Sequence, residues 1–400
     1  MTATFNGFRR PVGRAGIRNQ VLLLPLDRLS NQIAWNIEQQ VAGVTRFQNP
    51  GDYGRHSSDR DRLYRITHGL ARNPNVYATI VIAMRDGYGY PETRAIRLRD
   101  DLADLGRPLG WLMIDEWGGS GGATDQGIRL ARQLVRDASN QEREAIPLSD
   151  LTLGIKCGLS DGTSGISGNP SLGKAADLLI GAGGSAIFSE TTEVIGAERV
   201  LGARTTPEIA EQLYEVIRRT EAIAAATGED IRTINPIPSN IKAGISTLEE
   251  KSLGAIAKGG TTPLKGVLEH AVPHDGRGLF FMDGWMASNA LPVALAAAGA
   301  QVIVFQMGGN DVLGDVPAPA TNPALVAPLF LMSGNPNVAR TRPIGLDFDA
   351  SAVLTGAGSL DQVGGDLFNA LVRVAGGGKT WGETLKWQET VEIWFDGPFL

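Results

Sequence analysis

The run VYATIVIAM, Val76 to Met84, sits between Asn73-Pro74-Asn75 and a polar Arg-Asp-Gly segment. It is short, uninterrupted in its apolar character, and rich in β-branched residues. Such a run, bounded by turn residues, reads as a strand buried on both faces. VLLLPL (Val21 to Leu26) before it and LGWLMIDE (Leu109 to Glu116) after it read the same way. Between these runs lie stretches with helical character, at Asn31 to Val41, Leu63 to Leu70 and Pro91 to Leu105. Buried strands alternating with helices predict a parallel sheet covered by helices.

The second half repeats the pattern. LTLGIK, SAIFSE (Ser185 to Glu190), GLFFMD (Gly278 to Asp283) and AQVIVFQM (Ala300 to Met307) are strand runs, with Pro328 to Met332 and Ile344 to Phe348 as further candidates. Pro207 to Thr227 reads as a long helix and Thr384 to Trp394 as a helical tail. The fold class is therefore α/β, with two domains that each hold a mainly parallel sheet flanked by helices. A chain of 400 residues also exceeds what one core normally serves. The charged stretch Asp137 to Pro147 places the boundary: residues 1–140, a linker at 141–150, then 151–400.

Composition narrows the function. The net charge is −6 and the arginines are interleaved with Asp and Glu, so they read as solvated faces and not as a nucleic-acid stripe. The single cysteine excludes an intrachain disulfide framework and a zinc site built on several thiolates. No segment has the apolar core of a signal peptide, and the run ALPVALAAAGAQVIVF breaks at Pro292 and Gly299 before it could span a bilayer. A cytoplasmic location follows from these features.

The chemistry concentrates in KCGLSDGTSGISGNPSLG, Lys156 to Gly173. It reads as a glycine-punctuated polar loop at the end of a strand. It offers Lys156, Cys157, Ser160, Asp161, Ser164 and Asn169 in close succession. Other strand ends carry Glu190 with Glu193, Asp283, and Gly308-Gly309-Asn310-Asp311. Ligands of open parallel sheets sit at the carboxyl ends of strands, so these groups are expected to converge. Lys156 and Lys251 supply cations or, if burial lowers their pKa, proton carriers. Glu190, Glu193 and Asp161 supply bases, acids or oxygen ligands for a metal. For the two glutamates, helix N-terminal charge is the competing reading, and for Lys251 a solvated helix face.

Three further motifs were weighed. GAGGSA (Gly181 to Ala186) matches a dinucleotide fingerprint but precedes a strand-like run where a helix is needed. Gly118 to Gly122 lies between a strand and a helix and reads as a tight turn or, through Gly119, a carboxylate contact. Ser160 and Ser164 lack the G-x-S-x-G setting of a nucleophile. Of the four histidines, His270 and His274 read as solvated, and His56 as the one most able to reach a site.

GRAGIRN (Gly13 to Asn19), the Lys156 to Gly173 stretch, SETTEVIGAE (Ser189 to Glu198) and LEEKSLGAIAKGG (Leu248 to Gly260), with GLFFMD and the closing WFDGP, resemble the altronate/galactarate dehydratase family. The large subunit of sulfolactate sulfo-lyase is among its relatives. The resemblance implies a lyase that removes water, or sulfite, from a 2-hydroxy acid to give a 2-oxo acid. A base takes the proton alpha to the carboxylate, the enediolate is stabilised, and an acid assists the leaving group. It implies Lys156, Asp161, Glu190, Glu193 and Lys251 as catalytic candidates. Arg14, Arg18, Asn19, Ser160, Ser164, Asn169, Gly119 and Asp283 would contact substrate. It also implies iron dependence and a small partner subunit, or a second copy of the chain, that completes the site.

The chain departs from the family at three places where relatives carry cysteine, which read here PLDRLSN (Pro25 to Asn31), NPGDYGRHSSD (Asn49 to Asp59) and AMRDGYG (Ala83 to Gly89). Leu159 replaces a glycine, and FQMGGND (Phe305 to Asp311) a Phe-Thr-Thr-Gly-Arg-Gly stretch. Cys157, His56 and Asp86 remain as candidate ligands for a divalent metal, with the harder oxygen and nitrogen donors favouring Mg or Mn over iron. Two alternatives stay open: a metal-free paralogue that binds an acid anion without turnover, and another elimination or isomerisation of a hydroxy acid.

Overall fold

The computed structural model describes residues 3–309, 322–341, 344–385 and 391–397. Asn310 and Asp311 of the 308–311 strand end, residues 386–390 of the expected helical tail and the final proline of the WFDGP motif lie outside them.

Two parallel sheets form the molecule. The first has the order β3-β2-β4-β5, with β2 at Gln20–Pro25, β3 at Val44–Arg46, β4 at Val76–Ala83 and β5 at Leu109–Met113. The second is seven-stranded, in the order β13-β12-β11-β7-β8-β10-β9. Its strands are β7 (Thr152–Gly158), β8 (Ser185–Phe188), β9 (Leu264–Leu268), β10 (Gly278–Met282), β11 (Val302–Met307), β12 (Leu329–Ser333) and β13 (Phe348–Asp349). Every pairing within both sheets is parallel. The near-continuous apolar runs follow from this, because helices cover both faces of a parallel sheet. No helix among the described residues is long and apolar enough to cross a membrane.

Some boundaries differ from the sequence reading. Part of the stretch read as a linker is strand β6 (Glu144–Pro147), which pairs antiparallel with β1 (Thr4–Gly7). The charged stretch thus ties the N-terminus down through backbone pairing that side-chain polarity does not reveal. Most of Lys156 to Gly173 is also regular: β7 runs to Gly158, a π-helical turn covers Ser164–Gly168, and a helix continues over Asn169–Gly181. The polar residues that suggested a loop line the first turns of a helix, and π-turns recur at functional sites. The expected helical tail Thr384 to Trp394 is not seen among the described residues: a short helix at Trp381–Thr384 ends where it should begin, and residues 391–396 are not helical.

The sheets stand side by side with their amino ends together. Asn75, just before β4, donates to the carbonyls of Gln301 and Val326 at 2.7 and 3.0 Å. Asn73 donates to Ala296 and Ala300 at 2.7 and 2.9 Å. Asn73-Pro74-Asn75 therefore ends a helix and also clasps the two sheets. Beside it, Gly69 lets the helix Ser57–Arg72 close on Leu291–Ala297, since a Cβ there would lie 2.4 Å from the Ala297 carbonyl oxygen.

Candidate functional site

From β7 the chain builds outward through β8, β9 and β10, then returns to the other side of β7 as β11. Such a reversal leaves a crevice at the carboxyl ends of the two central strands. Lys156 and Cys157 lie there, in register with Phe305 and Gln306 of β11.

An inner cluster occupies the base of this crevice. Glu190 is 1% exposed and sits between two lysines. Its Oε1 accepts from Lys156 Nζ at 3.1 Å, and its Oε2 accepts from Lys258 Nζ and, at 2.9 Å, from the Cys157 N–H. Lys156 also donates to the carbonyls of Cys157 and Met286 and lies 4.7 Å from the Phe305 ring centre. Lys258 lies 3.1 Å from Cys157 Sγ. Burial pushes the Glu190 carboxyl up, but Lys156 and Lys258 outweigh it and hold the group below the usual carboxylate range. Burial opposes the charge of Lys258, yet Cys157 and Glu190 hold its pKa above the ordinary lysine value. Burial and then Glu190 push the Cys157 thiol up to about 11, so it is a neutral thiol at pH 7. Glu190 holds this position with φ +82°, a left-handed conformation that a non-glycine residue adopts only under tertiary constraint. It is not the helix-capping charge considered from sequence.

An outer cluster lies one turn away, at Thr191–Glu193. Glu193 Oε1 pairs with Lys251 Nζ at 3.0 Å, and Asn235 Nδ2 approaches it at 3.4 Å. Its Oε2 is buried and has no hydrogen-bond partner among the described residues. Lys251 also donates to Asn235 and Asn240 at 2.7 and 3.1 Å, so it is no solvated helix-face lysine. Asn240 in turn donates to the Ser160 carbonyl at 2.8 Å.

Asp161 plays a different part. Its Oδ1 accepts from the Thr163 and Ser164 backbone N–H groups at 2.9 and 3.1 Å, and its Oδ2 from Asn335 at 2.8 Å. Both oxygens are engaged, so Asp161 fixes the turn that follows β7. Ser164 shares that turn, its Oγ accepting from the Asp161 N–H at 3.2 Å. Asn169 donates to the Gly254 carbonyl at 2.9 Å and ties in the helix Leu248–Ile256, which carries Lys251. Asp283 accepts from Thr191 at 2.8 Å and pairs with Arg219, bracing the Glu190–Glu193 turn.

Other sequence candidates lie elsewhere. Arg14 bonds Thr152 at the amino end of β7. Arg18 forms an ion pair with Glu383, and Asn19 bonds Arg10 and the Ala138 carbonyl. These three brace the amino ends of the sheets and do not join the Lys156 crevice. Gly119 (φ +99°) makes the tight turn between β5 and the helix Ser120–Ser139. His56 caps the helix Ser57–Arg72, its Nδ1 accepting from the Ser58 N–H. Asp86 follows β4. His270 and His274, read as solvated, are 3% and 8% exposed.

The metal reading fits poorly. Among the described residues no three His, Cys, Asp or Glu side chains are grouped to hold a metal ion. Cys157 is a neutral thiol beside an ammonium group, and His56 and Asp86 belong to the first sheet. The three stretches that replace family cysteines do converge. Asp27, Asp52 and the Tyr88–Tyr90 segment line one cleft of about 570 Å³ at the carboxyl ends of the first sheet. Asp27 there accepts from Ser30 and the Met84 N–H, and Asp52 from Thr93.

Sequence reasoning missed Lys258, Asn235 and Asn240. Lys258 stands inside the LEEKSLGAIAKGG motif, seven positions after Lys251 and so two helical turns on. That spacing was available as a signal. Nothing local marks the two asparagines, Asn235 at the end of the short helix Ile231–Ile234 and Asn240 within the helix Pro238–Lys242.

A seven-stranded parallel sheet with a buried lysine–glutamate–lysine cluster at its topological reversal defines an α/β protein whose candidate site lies at the carboxyl ends of its strands. Residues 7–139 match "D-galactarate dehydratase/Altronate hydrolase, second domain" and residues 148–398 match "D-galactarate/Altronate dehydratase, C-terminal". The chain is 34% identical to the (2R)-sulfolactate sulfo-lyase subunit beta of Chromohalobacter salexigens, over 97% of this chain and 96% of that one. It is 30% identical to altronate dehydratase of Bacillus subtilis, over 94% of this chain and 74% of the other. The corresponding values for altronate dehydratase of Escherichia coli are 28%, 96% and 76%. The chain belongs to the D-galactarate/altronate dehydratase family and is a lyase of that class.

Proposed function

We propose that the chain eliminates water from a sugar acid or small 2-hydroxy acid to give a 2-oxo acid, with Glu193 as the base. The observation that carries this is the asymmetry of the Glu193 carboxylate. One oxygen is anchored by Lys251 and Asn235, and the other is buried with no partner. An anchored carboxylate with one free oxygen in a dry site is oriented for proton abstraction. Removing the C2 proton leaves an enediolate, and loss of the C3 hydroxyl as water gives an enol that ketonises. Lys156 and Lys258 exceed Glu190 by one positive charge, which favours the dianionic intermediate. At an effective dielectric of 20, one unit charge 4 Å away is worth roughly 4 kcal/mol. Lys251 is placed to protonate the leaving hydroxyl. Asp161 is a positioning residue. No step is routed through a metal, because the donors among the described residues do not assemble a site for one.

The coverage of the sulfo-lyase subunit supports a second reading, in which sulfite leaves in place of hydroxide. That relative is named as a subunit beta, which supports a partner subunit or a second copy here. A cytoplasmic site of action fits the buried free cysteine.

The test is 2-oxo acid release from a panel of aldonates, aldarates and 3-sulfonated 2-hydroxy acids, with sulfite assayed in parallel. Glu193→Gln is expected to lower kcat about 10²–10⁴-fold while the protein stays folded. Full activity in that variant removes Glu193 from the role, and turnover of no acid in the panel removes the dehydratase reading.

A further inference from the structure

A second charged region lies at the opposite end of the sheets, where the Asn73–Asn75 clasp joins them. A cleft of about 580 Å³ opens there between the Gly13 turn, the helix Ser57–Arg72 and the loop Ala271–Gly276. Arg14, Arg65, Arg72 and Arg107 line it, and Asp275 is the carboxylate in its lining. In a chain of net charge −6 this is a local reversal of sign.

Two of the four arginines are matched. Arg65 pairs with Glu269 and Arg72 with Asp104, both carboxylates exposed at the rim. Arg14 and Arg107 are not. Arg14 donates to Thr152 Oγ1 at 2.6 Å and to the Gly276 carbonyl at 2.7 Å. Arg107 donates to the carbonyls of Asn73 and Val76 at 2.7 and 3.0 Å. Neutral acceptors orient these guanidinium groups, and the Asp150 carboxylate near Arg14 offsets its charge only in part. Arg10, behind them, is likewise held by the Pro74 and Arg18 carbonyls and Asn19. Burial and then Arg72 lower Arg107 to about 10, while burial outweighs Asp150 in lowering Arg14. Both are directions that a bound anion would reverse.

His274 braces Arg14. Its Nε2 lies 2.6 Å from Arg14 Nη1. A guanidinium can only donate, so Nε2 accepts and the neutral ring carries its proton on Nδ1. Nδ1 is buried and lacks a hydrogen bond of normal geometry, with the Gly276 carbonyl nearby. The ring lies against Phe280, 4.6 Å between centres, which holds its orientation.

We propose that this cleft binds a small oxyanion of two or more charges, a phosphate group or a dicarboxylate, held by Arg14 and Arg107, with His274 bracing Arg14. The planar guanidinium fork matches the oxygens of either group. The site is separate from the Lys156–Glu190 crevice and stands whether or not the dehydratase reading holds. It lies at the amino ends of the strands, where an anion would clamp both sheets across the clasp. Occupancy is therefore expected to stabilise the fold.

The experiment is calorimetric titration and thermal denaturation of the full chain with inorganic phosphate, and separately with malonate, against chloride at matched ionic strength. Saturable binding of one equivalent is expected. Arg14→Gln and Arg107→Gln should each weaken it at least tenfold, while Glu193→Gln leaves it unchanged. Malonate binding in place of phosphate assigns the cleft to a dicarboxylate. Binding no tighter than chloride, survival of affinity in both arginine variants, or loss of binding in Glu193→Gln overturns the proposal. Should either variant misfold, phenylglyoxal modification of the wild-type chain decides. Phosphate or malonate must protect Arg14 and Arg107, as mapped by mass spectrometry, and equal labelling with and without anion overturns it.

Discussion

The two ends of the sheets handle positive charge in opposite ways. At the carboxyl ends Lys156, Lys258 and Lys251 each meet a carboxylate, and all are nearly shut from solvent. At the amino ends Arg14 and Arg107 hydrogen-bond neutral oxygens and a ring nitrogen and form no ion pair among the described residues, with Asp150 near Arg14, in an open cleft. A lysine ammonium is compact and strongly hydrated, so burying it requires a counter-charge. A guanidinium is weakly hydrated and can be oriented by carbonyls while its charge remains available. The two ends thus differ in how positive charge is held: the inner lysines share one buried carboxylate, and the cleft arginines are oriented chiefly by neutral acceptors.

The largest expected effect tests the first half of that contrast. Glu190→Gln strips the counter-charge from two buried ammonium groups and should cost about 3–5 kcal/mol of stability, read from urea denaturation. Adding Lys258→Met should recover much of it, because the second buried charge is then gone. A loss under 1 kcal/mol for Glu190→Gln would break the claim that Glu190 is the shared counter-charge of both buried lysines.

Next comes pH, which touches both ends. Burial lowers His270, at the carboxyl side, to about 3 and His274, in the cleft, to about 4. The unfolded chain takes up these protons first, so the contribution is present above an unfolded pKa near 6.5 and is lost as pH falls below it. Asp347 works against this. Burial raises it to about 6, so its contribution is present at low pH and lost as pH rises through about 6. Stability should fall by roughly 2–3 kcal/mol between pH 7 and pH 4.5, the histidines dominating. His270→Gln should flatten the profile more than His274→Gln, and an unchanged profile in both would show that neither is held neutral.

The smallest effect sharpens the second half. Arg14→Gln loses hydrogen bonds to neutral partners and should cost only about 1 kcal/mol without anion. A cost as large as that of Glu190→Gln would make Arg14 a structural charge and remove the contrast.

Much of this was legible in the chain. The runs at Val21, Val76 and Leu109 specify buried parallel strands because their apolar character is local and continuous. Lys156, Glu190, Glu193 and Lys251 were legible because they stand at strand ends or in motifs. The partners were not. Lys258 reaches Glu190 from 68 residues away and Asn335 reaches Asp161 from 174. The clasp at Asn73–Asn75 looked like a helix stop because its acceptors are backbone carbonyls some 225 residues on, at Ala296 and Ala300. Arg14, Arg18 and Asn19 seemed to belong to the reaction site since their motif accompanies it in the chain. Strand polarity sends them to the other end of the sheet.

The sequence by itself determined the α/β class, the strand runs, the lyase family and most of the crevice residues, because periodicity and motif are local properties of a chain. Tertiary structure alone decided which lysine meets which carboxylate, that Glu193 keeps one oxygen free, and that unmatched arginines gather at the far end. Those outcomes depend on strand order and on contacts between residues far apart in the chain, and local pattern carries no record of either.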